Sequence, residues 1–219
     1  MSRIVVIGAH GRTGLLLVEQ LVKAGDGVVA VIRNPRHMAD LVKRGAETVL
    51  LDLEASTGPE FAAQFKGADA IVFAAGSAAG ESSAIDSAGV RKTLRAAAKA
   101  GVRRYVAISS IGASTGMKLT GDWATDEMKD YYKHKRLAGK AIMASGLDWT
   151  LVEPGELTEG KPTGKVTLSV AAIPEKPVSR ADVAAVVAAA LKSPASIGKA
   201  LQLTAGKTPI ADAFKALGK

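Results

Sequence analysis

"RIVVIGAHGRTGLLLVEQL", residues 3–21, joins an apolar strand-like run to an amphipathic helical pattern through three glycines. Gly8, Gly11 and Gly14 have the spacing G-x-x-G-x-x-G. The first glycine permits a tight turn at the end of the strand. The second lets a pyrophosphate approach the backbone N–H groups at the helix N-terminus, and the third lets the helix pack close to the sheet. Turns collect glycine, so three glycines alone say little. Directly after an apolar strand and before a helix, they predict the opening of a dinucleotide-binding unit. His10, Arg12 and Thr13 lie in the same loop and join the cofactor-binding candidates.

Outward from this loop, short apolar runs alternate with longer amphipathic ones. Strands are predicted over 3–8, 27–32, 47–51, 70–75, 104–109 and 148–153, and helices near 12–25, 35–44, 58–66, 82–100 and 123–145. Near-continuous Val/Ile/Leu strands separated by helices predict an α/β fold, a doubly wound parallel sheet of the Rossmann type. After Pro154 the pattern weakens. A strand at 165–170, a helix over 179–192 with Ser179 as N-cap and Asp182 at the capping-box position, a strand at 199–204 and a terminal helix from Pro209 are expected. The remainder after Pro154 is short for an independent domain. The expectation is one NAD(P)-binding domain over 1–219: a core over about 1–154, and a small substrate-side lobe over about 155–219.

The second strand bears on which dinucleotide is bound. NAD-binding units place Asp or Glu about 20 residues after the glycine loop, where it accepts from the ribose 2′-OH. Here the strand ends "AVIRNP", and Arg33 follows Gly14 by 19 residues. A guanidinium there favours a 2′-phosphate, and Arg12 is placed to close on it from the other side. NADP(H) is therefore expected over NAD(H).

The formal net charge of +8 is compatible with nucleic acid, an acidic membrane or a phosphate-rich cofactor. No run of five like charges occurs and aromatic residues are only 4%, which argues against a nucleic-acid stacking surface. A solvated surface with one anion-binding cleft fits better. The chain has no cysteine, which removes disulfides, thiolate metal sites and cysteine nucleophiles. His10, His37 and His134 are scattered, so no metal is expected. The opening apolar run is too short for a signal peptide. "VAAVVAAAL" at 183–191 falls short of the ~20 residues of a membrane span. A cytoplasmic protein with a small-molecule partner and no membrane contact is expected; the sequence is silent on oligomeric state.

"IGAHGRTG", "VIRNP", "LDL" (51–53), "FAAG" (73–76), "GVRRYVAISSIGA" (101–113), "YYKHK" (131–135) and "VEPGEL" (152–157) occur in the order of the short-chain dehydrogenase/reductases. The glycine spacing, the Pro-Gly after the sixth strand and "SRADVA" most resemble the atypical single-domain NAD(P)H-binding branch, with its flavin/biliverdin-type reductases and redox-sensing, NmrA-like relatives. The resemblance runs from residue 3 to about 190. It implies that Asp52 and Leu53 border the adenine, that Ala74, Ala75 and Gly76 pass under the cofactor, and that Ser109 sits near the nicotinamide ribose. Pro154, Gly155, Glu156 and Leu157 would line the nicotinamide end.

The superfamily's catalytic pair has the spacing Y-x-x-x-K, which Tyr131 and Lys135 match. Residues four apart share a helix face, so the two are neighbours. A phenol ordinarily titrates near ~10, and an adjacent ammonium favours its ionised form, which suits proton transfer at a carbonyl oxygen. The same lysine would hold ribose hydroxyls, and Ser110 would orient the acceptor oxygen as the superfamily serine does. Tyr132 with Lys135 is a rival pair. Asn34, the only asparagine, lies at the second strand, so the superfamily's four-residue proton relay is incomplete. Two functions stay open: a reductase of a small carbonyl, quinone or flavin-like acceptor, and a non-catalytic NADP(H)-binding redox sensor.

Overall fold

Along β1 (Arg3–Ile7), Ile4 and Val6 belong to one apolar cluster and Val5 and Ile7 to another, and all four are buried. The side-chain period of two thus feeds both faces of one sheet. The same division holds along β2 (Gly27–Ile32), where Val28, Ala30 and Ile32 oppose Val29 and Val31. The computed structural model describes residues 1–76 and 84–218. The expected start of the fourth helix at 82 and 83 lies outside the described residues.

The remaining main elements are α2 (Met38–Lys43), β3 (Glu47–Leu50), α3 (Gly58–Phe65), β4 (Ala70–Phe73), α4 (Ala84–Ala100), β5 (Arg104–Ile108), α5 (Asp126–Met143) and β6 (Asp148–Pro154), with α1 (Arg12–Lys23) between β1 and β2. The chain continues through β7 (Leu157–Thr158), β8 (Lys165–Ser169), β9 (Val178–Ser179), α6 (Arg180–Lys192), β10 (Lys199–Ala205), β11 (Thr208–Pro209) and α7 (Ile210–Ala216). The large sheet has the order β11-β8-β10-β6-β5-β4-β1-β2-β3. Every pairing from β3 across to β10 is parallel, while β8 pairs antiparallel with β10 and β11 with β8. Helices α1 and α6 pack on one face, and α3, α4 and α5 on the other.

The doubly wound parallel sheet is as expected, with a difference in the C-terminal part. Three of its strands extend the central sheet, and only β7 and β9 form a separate two-stranded piece. The reason is burial: Leu201 and Leu203 on β10 are fully enclosed, and β6 would otherwise be an open edge. Ser179 caps α6 by accepting from the Asp182 N–H at 3.0 Å. The Asp182 carboxylate, however, accepts from the N–H groups of Thr163 and Gly164 at 3.1 and 2.8 Å. Burial works against that anion, but these donors and Ser179 hold its carboxyl below the usual range.

At the opposite end of the sheet from the strand C-termini, Arg104 donates to Asp148 O, Thr150 Oγ1, Ala190 O and Ser196 Oγ. Burial pushes its guanidinium down to about 10. The contacts tie the end of α6 to β5 and β6, and they leave the other end of the sheet free for a site.

Candidate functional site

Between β1 and β4 the strand order reverses, and open α/β sheets bind ligands at the C-terminal strand ends beside such a switch point. Gly8 turns the chain there with φ +78°, and a Cβ on it would lie 2.6 Å from the backbone of Ala75. A Cβ on Gly14 would lie 2.3 Å from the carbonyl oxygen of Gly8. The glycine requirement is therefore steric at both positions, and α1 leaves the sheet at close range. Gly11 is its N-cap and supplies no side chain, so the first N–H groups of α1, from Arg12 and Thr13 onward, have no side-chain cap. The cleft in front has a volume of about 310 Å³.

Nine of the predicted residues line this one cleft. Gly8, His10, Gly11, Arg33, Asp52, Leu53, Ala74, Ala75 and Gly76 all do so. Asp52 also shapes its own turn, because its carboxylate accepts from Glu54 N and Ala55 N at 2.7 and 3.2 Å. Asn34 lies just past β2, where its side chain caps the following turn by accepting from Arg36 N. Arg12 does not reach across toward Arg33. Its guanidinium pairs with Glu159 at 2.9 Å, and Arg180 pairs with the same carboxylate at 3.0 Å.

Ile85 and Asp86 of α4 line the far end of the cleft, and Asp86 also borders a smaller pocket that Ser109 and Lys135 line. Lys135 Nζ lies 3.1 Å from Asp86 Oδ2, and the two side chains are 8% and 3% exposed. The ammonium sits 5.3 Å from the centre of the Tyr131 ring, and a Cβ on Gly76 would lie 3.7 Å from it. The hydroxyl of Ser109 is buried and has no hydrogen-bond partner among the described residues. Such an orphaned polar group, together with the glycine cradle, fits a bound nicotinamide dinucleotide. Ser110 donates to the hydroxyl of Tyr132, not of Tyr131, at 3.3 Å, and Tyr132 donates to Ile111 O at 3.1 Å. Burial, only partly offset by Ser110, raises the pKa of Tyr132. Trp123, 45% exposed, has its ring 6.2 Å from that of Tyr132.

Pro154 accepts from Ile111 N, and Gly155 donates to Leu203 O, at 2.8 and 2.9 Å. A Cβ on Gly155 would lie 2.4 Å from Lys176 O. Glu156 O accepts from Val178 N, and Leu157 O accepts from Arg180. These four residues therefore hold the C-terminal segment against the strand ends.

Sequence reasoning missed two carboxylates. Asp86 is one, a single acidic residue in the first turn of α4 whose partner is 49 residues away. The other is Glu153, fully buried on β6, which accepts from Ser114 N, Ser114 Oγ and Gln202 Nε2. Gln202 in turn accepts from Gly112 N at 2.8 Å. This network fastens the loop that presents Ser109 and Ser110. Burial raises the pKa of Glu153 even though all three partners oppose the rise. A charged residue inside the apolar run "DWTLVEP" was the one available signal for it.

The sequence model of a family described as NAD(P)H-binding matches residues 8–194, from the glycine loop to the end of α6. The chain belongs to that family. One relative is a Bacillus subtilis (strain 168) protein named as an uncharacterised sugar epimerase, 38% identical over 98% of this chain and all of the relative. Among solved structures, a Bacillus halodurans protein named as a candidate NAD-dependent epimerase/dehydratase is 34% identical, with a TM-score of 0.88 over 99% of this chain and 100% of that one. An anaerobillin reductase of Escherichia coli O157:H7 is 25% identical, with a TM-score of 0.81 over 93% of this chain and 97% of that one. Membership in the NAD(P)H-binding family assigns a nicotinamide cofactor to the fold. Among the described residues no cluster of His, Asp and Glu could hold a metal ion, and no helix is long and apolar enough to cross a membrane.

Proposed function

We propose that this member of the NAD(P)H-binding family is an NADP(H)-dependent reductase of a small carbonyl, quinone or flavin-like acceptor, in an atypical branch of the short-chain dehydrogenase/reductases. The observation that carries this reading is a single cleft that has Arg33 at one end and reaches Asp86, the partner of Lys135, at the other. Arg33 suits a 2′-phosphate, and the uncapped start of α1 suits the pyrophosphate. Lys135 would hold ribose hydroxyls, oriented by Asp86, and Ser109 offers its unpaired hydroxyl nearby. The bound nicotinamide would supply the hydride. Tyr131, half-buried beside Lys135, would pass a proton to the acceptor oxygen, which Ser110 would orient. Tyr132 keeps Ser110 in place. The E. coli relative named as a reductase supports reduction, and the relatives named as epimerases support hydride chemistry on the same scaffold.

A second reading, a non-catalytic NADP(H) sensor, is favoured by one observation. The hydroxyl of Tyr132 is already engaged by Ser110 and Ile111, so Ser110 is not paired with the proton donor. The test is oxidation of NADPH and NADH by quinones, aldehydes and flavins, comparing wild type with Tyr131→Phe and Arg33→Ala. The reductase reading expects NADPH turnover that falls at least tenfold in Tyr131→Phe. Arg33→Ala should weaken NADPH binding far more than NADH binding. No turnover with any acceptor, while NADPH and NADP⁺ bind with unequal affinity, would favour the sensor. Equal losses for both cofactors in Arg33→Ala would remove the NADP assignment.

A further inference from the structure

At the adenosine end of the cleft, the rings of His10 and His37 stack face to face, with centroids 3.6 Å apart and planes 8° apart. His10 comes from the glycine loop, and His37 ends the short turn (Pro35–His37) that follows β2. Both line the cleft together with Arg33. Several charged groups face the pair. Asp40 on α2 lies 3.3 Å from His10 Nε2 and is also held by Arg44 Nε at 3.2 Å; Arg33 stands at the end of β2, and Asp52 lines the same cleft beyond β3.

Two neutral imidazoles stack without penalty, but two imidazolium ions at this separation repel, and Arg33 adds to the repulsion. His37 shows the consequence: burial first, then His10 and Arg33, lower its pKa, and Asp40 only partly offsets them. A phosphate dianion beside Arg33 would reverse the balance, because it favours the protonated rings. Linkage then requires that such a ligand bind more tightly as the rings take up protons. A dinucleotide with a bare 2′-hydroxyl brings no such charge.

We propose that the stacked His10–His37 pair, acting with Arg33, is a pH-dependent reader of the cofactor's 2′-phosphate, so that the preference for NADP(H) over NAD(H) grows as pH falls from about 8 to about 6. This inference rests on the NADP assignment above. The pair makes discrimination between the two cofactors titratable, while Arg33 keeps its charge throughout that range.

The probes are 2′,5′-ADP and 5′-AMP, which carry the adenosine end alone, with affinities measured by calorimetry at pH 6, 7 and 8. Wild type should show a ratio of affinities, 2′,5′-ADP over 5′-AMP, that rises about fivefold from pH 8 to pH 6, the yield of roughly one unit of pKa shift on one ring that titrates within this range. In His37→Asn the rise should shrink to about twofold or less, and His10→Asn serves as an independent second variant. The 2′-phosphate itself takes up a proton near ~6, but wild type and variants share that titration, so their difference isolates the rings. The chain has only three histidines, so their NMR signals provide a second readout on the intact protein. The His37 titration should move to higher pH with 2′,5′-ADP by clearly more than with 5′-AMP. Superimposable pH curves in wild type and both variants, or equal ring titrations with the two ligands, overturn the proposal. A missing preference for 2′,5′-ADP at every pH overturns the NADP assignment as well. A preference that Arg33→Ala abolishes but that does not vary with pH overturns only the role of the histidines.

Discussion

Replacing Lys135 by methionine removes one end of an ion pair that is almost completely enclosed, with Nζ 3.1 Å from Asp86 Oδ2. At that distance the attraction is about 5 kcal/mol for an effective dielectric constant of about 20. The desolvation of two ions absorbs much of it, so the pair adds little net stability compared with a neutral replacement. Breaking it is different. Lys135→Met leaves the Asp86 carboxylate buried without its partner, and Asp86→Asn strands the ammonium in the same way. Each should lower the unfolding free energy by about 3 kcal/mol. The double variant buries no orphan charge and should lose only about 1–2 kcal/mol, a coupling of several kcal/mol between the positions. Urea unfolding followed by fluorescence of Trp123 and Trp149 measures all four corners of the cycle. Costs below about 1 kcal/mol for either single variant, or additive losses in the double, would refute the description of the pair as enclosed and coupled. The same proteins report on function. If Lys135 contacts the cofactor as proposed, affinity for the nicotinamide cofactor should drop about tenfold in Asp86→Asn, which leaves the lysine without its orienting partner, and further in Lys135→Met.

Gly14→Ala should abolish nicotinamide-cofactor binding and destabilise the fold by about 3 kcal/mol, because the new Cβ would meet the Gly8 carbonyl at 2.3 Å; thermal unfolding and cofactor fluorescence check both. Glu153 gives a pH dependence whose sign follows from its raised pKa. A carboxyl that holds its proton more tightly when folded contributes stability below its ordinary value of 4.5, and that contribution is lost as pH rises through the higher folded value. The stability of wild type relative to Glu153→Gln should therefore fall as pH is raised from about 4.5. Urea unfolding across that range tests this, and a gap that moves in favour of wild type with rising pH would contradict it.

By itself the sequence determined the βα alternation, the glycine loop and its place between strand and helix, and the cap that starts α6. Those signals are local. They depend on side-chain period and on backbone groups a few residues apart, which a chain carries wherever it folds. It also brought Gly8, Arg33, Asp52 and Ala74–Gly76 to one cleft, because consecutive parallel strands end on the same side of the sheet. Only the tertiary structure decided which partners meet across the strand order. Y-x-x-x-K put Tyr131 beside Lys135, but the packing of α5 on the loop after β5 gave Ser110 to Tyr132, and α4 supplied Asp86. Likewise, the strands expected at 165–170 and 199–204 form as β8 and β10, but their place in the main sheet was not legible, since β10 is specified by the exposed edge of β6 it must cover. His10 and His37, scattered when read along the chain, stack because two successive strand ends lie side by side. Contacts of this kind are set by the order of strands and the reach of loops, and no local period encodes them.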